Sequence, residues 1–250
     1  MSWAAEHGEA APGETLRRFY AALLGSFGPQ RWWPARTRWE VIWGAILTQN
    51  TTWRNATLAL KNLRREGFLA WRNLRRISTA ELERLIRPAG FYRQKARTLR
   101  HFLDWLEQAH GGSLDSLFAL GPTLARAQLM TLKGIGPETA DAILLYSGRQ
   151  PLFVADAYTR RVLSRHQLLS PAPDYHSAQQ FLHQHLPPDA ALFNEFHALL
   201  VEAAKRYCHR SVAHCEACPL GKFLEDRNSK LETRNSSRHS SVQYQAPGMP

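Results

Sequence analysis

The chain has 250 residues, 44% of them hydrophobic, a formal net charge of +11 and a pI of about 10.1. That apolar content supports a packed core, but no apolar run approaches the roughly 20 residues of a membrane span, and the charge favours a polyanionic partner, nucleic acid before an anionic membrane surface. Three cysteines argue against a disulfide scaffold and fit a reducing cytoplasm, and Met1 to Gly13 lacks the apolar segment of a secretory signal.

In chain order, residues 1–14 read as a flexible lead. Leu16, Phe19, Tyr20, Leu23, Leu24 and Phe27 then recur at helical spacing until Gly28-Pro29. An aromatic connector, Arg31-Trp32-Trp33-Pro34, leads to a second stripe, Trp39, Ile42, Trp43, Ile46 and Leu47. A turn at Gln49 to Thr52 separates it from a helix over 53–65. Shorter helices are expected over 68–75 and 79–87, the latter capped by Ser78 or Thr79 with Glu81 and Glu83 near its positive end. A longer helix over 94–109 turns Ala96, Leu99, Leu103 and Leu106 inward, and Gly111-Gly112 breaks it. Leu120, Leu124, Ala127 and Leu129 to Leu132 suggest a further helix. Beyond residue 156, helices are expected over 157–168, 175–186 and 190–206. No strand alternation is evident, and residues 227–250, rich in Ser, Asn and Arg, read as a disordered tail. The fold class is all-α.

The chain is organised around Leu132-Lys133-Gly134-Ile135-Gly136-Pro137-Glu138 and the apolar helix after it. Pro137 suits a first helical position, and Glu138 complements the helix dipole. Such a hairpin can be an ordinary tight turn. It can also bring Lys133, Gly134, Ile135 and Gly136 close to a DNA phosphate, because glycines permit close backbone approach and helix-start N–H groups favour anions.

The sequel to the hairpin is more specific. Residues 132–163, which include Asp156 after a Gly/Pro-rich loop, resemble the helix-hairpin-helix and aspartate signature of the endonuclease III superfamily of DNA glycosylases. Ile46-Leu47-Thr48-Gln49-Asn50-Thr51 resembles that family's glutamine loop, and Pro88 to Ala96 its intercalating loop. The similarity spans roughly residues 15 to 224. It implies two helical domains with a DNA-binding cleft between them. Residues 30–150 would form a six-helix domain, and 15–29 would join 151–226 in the other. The implied partner is double-stranded DNA with a damaged base, bound by a monomer.

The resemblance also assigns roles. Cleavage of an N-glycosidic bond builds positive charge on the sugar, which a carboxylate stabilises. Asp156 matches the catalytic aspartate, although its spacing alone favours a helix N-cap. Glu138 stands where the family's lyases carry a Schiff-base lysine, and a carboxylate cannot form an imine. The implied reaction is hydrolysis, without AP lyase activity. Glu138 itself is either a site residue or a first-turn acid. Gln49 matches the residue that plugs the gap left by an extruded base, and Phe91 the wedge on the opposite strand. Read alone, they are a helix end and a core residue.

Trp32, Trp33, Pro34 and Trp53 are ordinary core candidates, yet they resemble the base pocket of the 3-methyladenine glycosylase branch. Indole faces there attract a cationic alkylated base. Cys208, Cys215 and Cys218 resemble part of an iron–sulfur motif whose fourth position is Leu224. A [4Fe–4S] cluster normally takes four thiolates, so His209, His214, Glu225, Asp226 or a non-protein ligand would complete it. Zinc and a metal-free relic are the alternatives. The leading expectation is a monofunctional base-excision glycosylase acting on alkylated purines such as 3-methyladenine. The alternatives are an endonuclease III-like glycosylase and AP lyase for oxidised pyrimidines, and a non-catalytic protein that recognises damage.

Overall fold

The computed structural model describes residues 11–33 and 35–224. The expectations for Pro34, Glu225, Asp226, residues 1–10 and the 227–250 tail lie outside the described residues. Those described form twelve α-helices with no strand, only an isolated bridge between Cys208 and Ala213. In chain order they begin with α1 (Pro12–Phe27), α2 (Arg38–Leu47), α3 (Trp53–Arg65), α4 (Trp71–Arg76), α5 (Thr79–Ile86) and α6 (Tyr92–His110). Then come α7 (Leu114–Phe118), α8 (Gly121–Met130), α9 (Pro137–Ala142), α10 (Ala157–Arg165), α11 (Tyr175–His185) and α12 (Ala190–Arg206).

The starts of these helices follow from local chemistry. Helices α2, α3, α5, α7, α10, α11 and α12 each begin after Ser, Thr or Asp whose side chain accepts a main-chain N–H of the first turn. Helix α1 opens at Pro12 rather than at residue 15, because proline's missing N–H costs nothing there. Short α7, capped by Ser113, has too little apolar periodicity to be read from the sequence. In α8, Ala125 and Leu129 face the core while Leu124 stands exposed, so the inward face is not the expected one.

Helix α2 is buried from Glu40 to Leu47 and packs on α3, α6 and α9, which makes it the axis of one helical group. Helices α1, α10 and α11 gather around α12 in the same way, through direct packing of α1 and α10 on it and of α1 on α11. A polar node joins the two groups. Fully buried Asp141 of α9 accepts from Arg126 Nε at 2.6 Å and Arg126 Nη2 at 3.2 Å on α8. From α11 it accepts Tyr175 Oη at 2.8 Å and Gln179 Nε2 at 2.7 Å. Both carboxylate oxygens are therefore satisfied, as a buried charge requires.

Candidate active site

Asp156 sits where the extended segment after the hairpin helix enters α10. Its Oδ1 accepts the Thr159 N–H at 2.8 Å, so it is the N-cap that its spacing suggests. Its other oxygen lies 3.5 Å from His197 Nε2 on α12, an ion-pair distance rather than a tight hydrogen bond. Burial alone would raise the Asp156 pKa. Nearby His197 and the Thr159 N–H outweigh burial and hold the carboxyl below its ordinary value. His197 Nδ1 is also hydrogen-bonded to the Tyr146 hydroxyl. Burial pushes the Tyr146 pKa well up, with Asp156 and Glu138 adding to it, so the phenol keeps its proton. His197 thus stands between the Tyr146 hydroxyl on one ring nitrogen and the Asp156 carboxylate on the other.

Asp156 lines a cleft of about 500 Å³ between the helical groups. Glu138, Gln49, Trp32, Trp33, Trp53, Tyr146, His197 and Lys205 share its walls. Glu138 is accessible there, but the crowding cleft raises its carboxyl pKa. Desolvation is the first cause and the charge of Asp156 the second, against His197 and Arg160. The site thus holds two carboxyls pushed in opposite directions, one toward the ionised form and one toward the protonated form.

The three tryptophans lie together at the cleft. Trp33 meets Trp53 edge-on with ring centroids 4.9 Å apart, and Trp32 lies 6.1 Å from Trp53. Trp33 also packs 5.3 Å from Tyr146. A Cβ on Gly44 would come within 2.8 Å of the Trp33 indole, so a glycine inside α2 is what lets that ring lie down. Glu40 steadies the connector by accepting the Arg36 N–H at 2.9 Å while it pairs with Arg64.

The remaining candidates lie around the cleft. In the hairpin, Ile135 is buried, Lys133 is exposed, and a Cβ on Gly136 would meet open space. Gly134 has φ +93° and packs so closely that a Cβ would collide with Thr98 of α6. Gln49 donates its amide to Gly134 O at 2.9 Å and Thr139 Oγ1 at 2.8 Å, which ties the glutamine loop to the hairpin. Phe91 is 66% exposed with φ +47°, a left-handed conformation that is costly for an aromatic residue. Its core alternative is thereby excluded.

The three cysteines surround a cavity of about 20 Å³ that Leu224 also lines, room for about one water. Arg165 donates from Nη1 to Cys208 Sγ at 3.2 Å, and Arg161 donates to Cys208 O at 2.7 Å. Among the described residues, no three His, Cys, Asp or Glu side chains are grouped to hold a metal ion. With an apolar side chain at the fourth position, the described residues of this knuckle supply three of the four thiolates that a cuboidal cluster takes.

Sequence reasoning missed Tyr146, His197 and Gly44, and read Lys205 as a phosphate contact rather than part of the cleft. Tyr146 and His197 lie within apolar stripes and read there as core. Gly44 is the one with a local signal, since glycine inside a helix needs a packing reason.

The site is thus a helical cleft lined by the first turn of the hairpin helix and by a helix-capping aspartate. The chain belongs to the HhH-GPD superfamily of base excision DNA repair proteins, whose pattern matches residues 43–188. It is 40% identical over 211 residues to MJ1434 of Methanocaldococcus jannaschii, a DNA repair glycosylase by provisional assignment, with 84% of this chain and 96% of that one covered. To endonuclease III of Thermotoga maritima it is 28% identical over 200 residues, covering 78% and 87%. Helicobacter pylori 3-methyladenine DNA glycosylase (MagIII), solved with 1,N6-ethenoadenine, superposes with a TM-score of 0.68 at 26% identity over 79% of this chain and 98% of that one. An endonuclease III–DNA complex gives 0.73 at 20% identity over 86% and 95%, a likeness of fold.

Proposed function

We propose that this protein is a monofunctional DNA N-glycosylase that hydrolyses the bond between sugar and an alkylated purine such as 3-methyladenine. In this reading it works as a cytoplasmic monomer on duplex DNA, its residues 30–150 forming one domain and 15–29 with 151–226 the other. The observation that carries it is the pairing of Asp156, held toward its ionised form by His197 and Thr159, with a cleft walled by three tryptophans. The MagIII likeness supports the choice of lesion class.

The steps follow from these groups. The hairpin lies against the DNA backbone while Phe91 and Gln49 enter the stack, and the flipped base passes between the indoles. The C1′–N bond breaks with its electron pair leaving on the base, and the Asp156 carboxylate faces the positive charge left on the sugar. Glu138 lines the same cleft, where burial and the Asp156 charge raise its carboxyl pKa. Water then attacks C1′ and loses its proton to Asp156 or solvent, leaving an abasic site. The endonuclease III-like reading gains one observation, because Lys205 places Nζ 5.3 Å above the Trp32 ring in the same cleft. An amine there is what a lyase would need.

The test is single-turnover excision from duplexes that each carry one lesion. Alkylated or etheno purines should be released and oxidised pyrimidines left. Release of oxidised pyrimidines alone supports the endonuclease III-like reading, and binding without release supports the non-catalytic one.

A further inference from the structure

Lys95 stands in the first turn of α6, where the helix dipole disfavours a cation. It is only 3% exposed, and its ammonium faces two main-chain carbonyls. Nζ donates to Leu47 O at 2.9 Å and to Ala89 O at 2.8 Å. Burial is the cause that brings its pKa down to about 8. Two features of the position, burial and dipole, therefore work against lysine.

What the contacts join explains the residue. Leu47 is the last residue of α2, and the turn that follows carries Gln49 and Asn50, the latter at φ +50°. Ala89 ends the short 3-10 turn Arg87–Ala89, after which Gly90 at φ +67° and Phe91 at φ +47° swing the exposed phenyl outward. The Lys95 main-chain N–H also donates to Phe91 O at 3.0 Å. One side chain thus spans the roots of two loops 48 and 6 residues away along the chain, and both loops present left-handed tips beyond the points it holds.

We propose that Lys95 is a positioning residue for base extrusion: it braces the glutamine loop against the wedge loop, so that Gln49 and Phe91 enter the duplex as one unit at a fixed separation. The brace touches neither substrate nor the reacting atoms. It rests on the roles given above to Gln49 and Phe91, and not on which base is excised.

The test reads unstacking apart from chemistry. A duplex with a tetrahydrofuran abasic analogue carries 2-aminopurine in the neighbouring pair, whose fluorescence rises when it unstacks. The full chain should raise that signal, and Phe91→Ala should lose most of the rise. Lys95→Met should lose most of it too, with the bound fraction by anisotropy unchanged, whereas Lys95→Arg should keep it. In the Phe91→Ala background, Lys95→Met should remove nothing more. Lys95→Gln, too short to span both carbonyls, serves where the methionine variant is poorly folded. A full rise with Lys95→Met, or a loss only in proportion to lost binding, overturns the proposal. So does loss of the helical fold in both variants, which would make Lys95 a fold determinant. If unstacking depends on Lys95 while no lesion is ever excised, this inference stands and the glycosylase reading fails.

Discussion

At the scale of single residues, the charge of Asp156 and the missing side chain of Gly44 shape the cleft. Asp156→Asn keeps an N-cap acceptor but removes the countercharge to the sugar. Excision should fall at least about a hundredfold while binding to an abasic analogue and the melting temperature hold. A folded variant that excises normally would remove Asp156 from the chemistry. Gly44→Ala places a methyl group into the Trp33 indole. The cost should be about 1–3 kcal/mol of stability, and the larger effect should be a raised KM as the pocket wall shifts. Titration of intrinsic tryptophan quenching by a free etheno purine would check that directly; unchanged quenching would take Trp33 out of the pocket. Motif spacing singled out Asp156 and the tryptophans, and the fold lines one cleft with them. Tyr146 and His197 were not singled out, since polar groups embedded in apolar stripes look like core until the fold brings them together.

At the scale of elements, two attachments hold the segment that presents Asp156. Asp141 ties α8 and α9 to α11. Removing it by Asp141→Ala leaves Arg126 without its carboxylate, and should cost about 3–5 kcal/mol in denaturant unfolding. The second attachment is His183 of α11, whose Nε2 accepts the Phe153 N–H at 2.9 Å. That bond needs a neutral ring. Burial lowers the His183 pKa below 6.5, with nearby Asp141 opposing and Arg126 adding to the shift. The unfolded chain therefore binds a proton more readily than the folded one, so the stabilisation is present above pH 6.5 and is lost as pH falls through the lower folded value. His183→Gln, whose amide oxygen accepts the same N–H without titrating, should flatten the melting-temperature decline on the acid side. An unchanged decline would show that other groups set it. Helix positions were largely readable because capping residues and apolar periodicity are local. Short α7 and the outward turn of Leu124 were not, because tertiary packing decides both.

At the scale of the whole molecule, basic charge and an open helical cleft suit a duplex, and the sequence carried that much through composition and motif order. The state of the cysteine knuckle was not legible, because three thiols suit a cluster, zinc or neither. Leu224 at the fourth position and the Arg165 guanidinium on Cys208 Sγ speak against a four-thiolate cluster. Protein prepared without oxygen should be colourless and carry no iron, yet fold and excise normally; about four irons per chain with broad visible absorbance would restore the cluster. Affinity for undamaged duplex should fall steeply with salt as phosphate counterions are released. A flat response would remove the argument from charge.

Hydrolysis by water, proposed above, rests on Glu138 standing at the position that resembles a lyase's lysine. The direct measurement is single-turnover excision from a duplex with one 1,N6-ethenoadenine, run with and without borohydride. Base release should leave an intact abasic strand that breaks only on alkali or heat, and borohydride should trap almost no protein on DNA, because no imine forms between an enzyme amine and the sugar. Trapping at the rate of base release, abolished by Lys205→Met, would contradict the account and make Lys205 the nucleophile of a lyase.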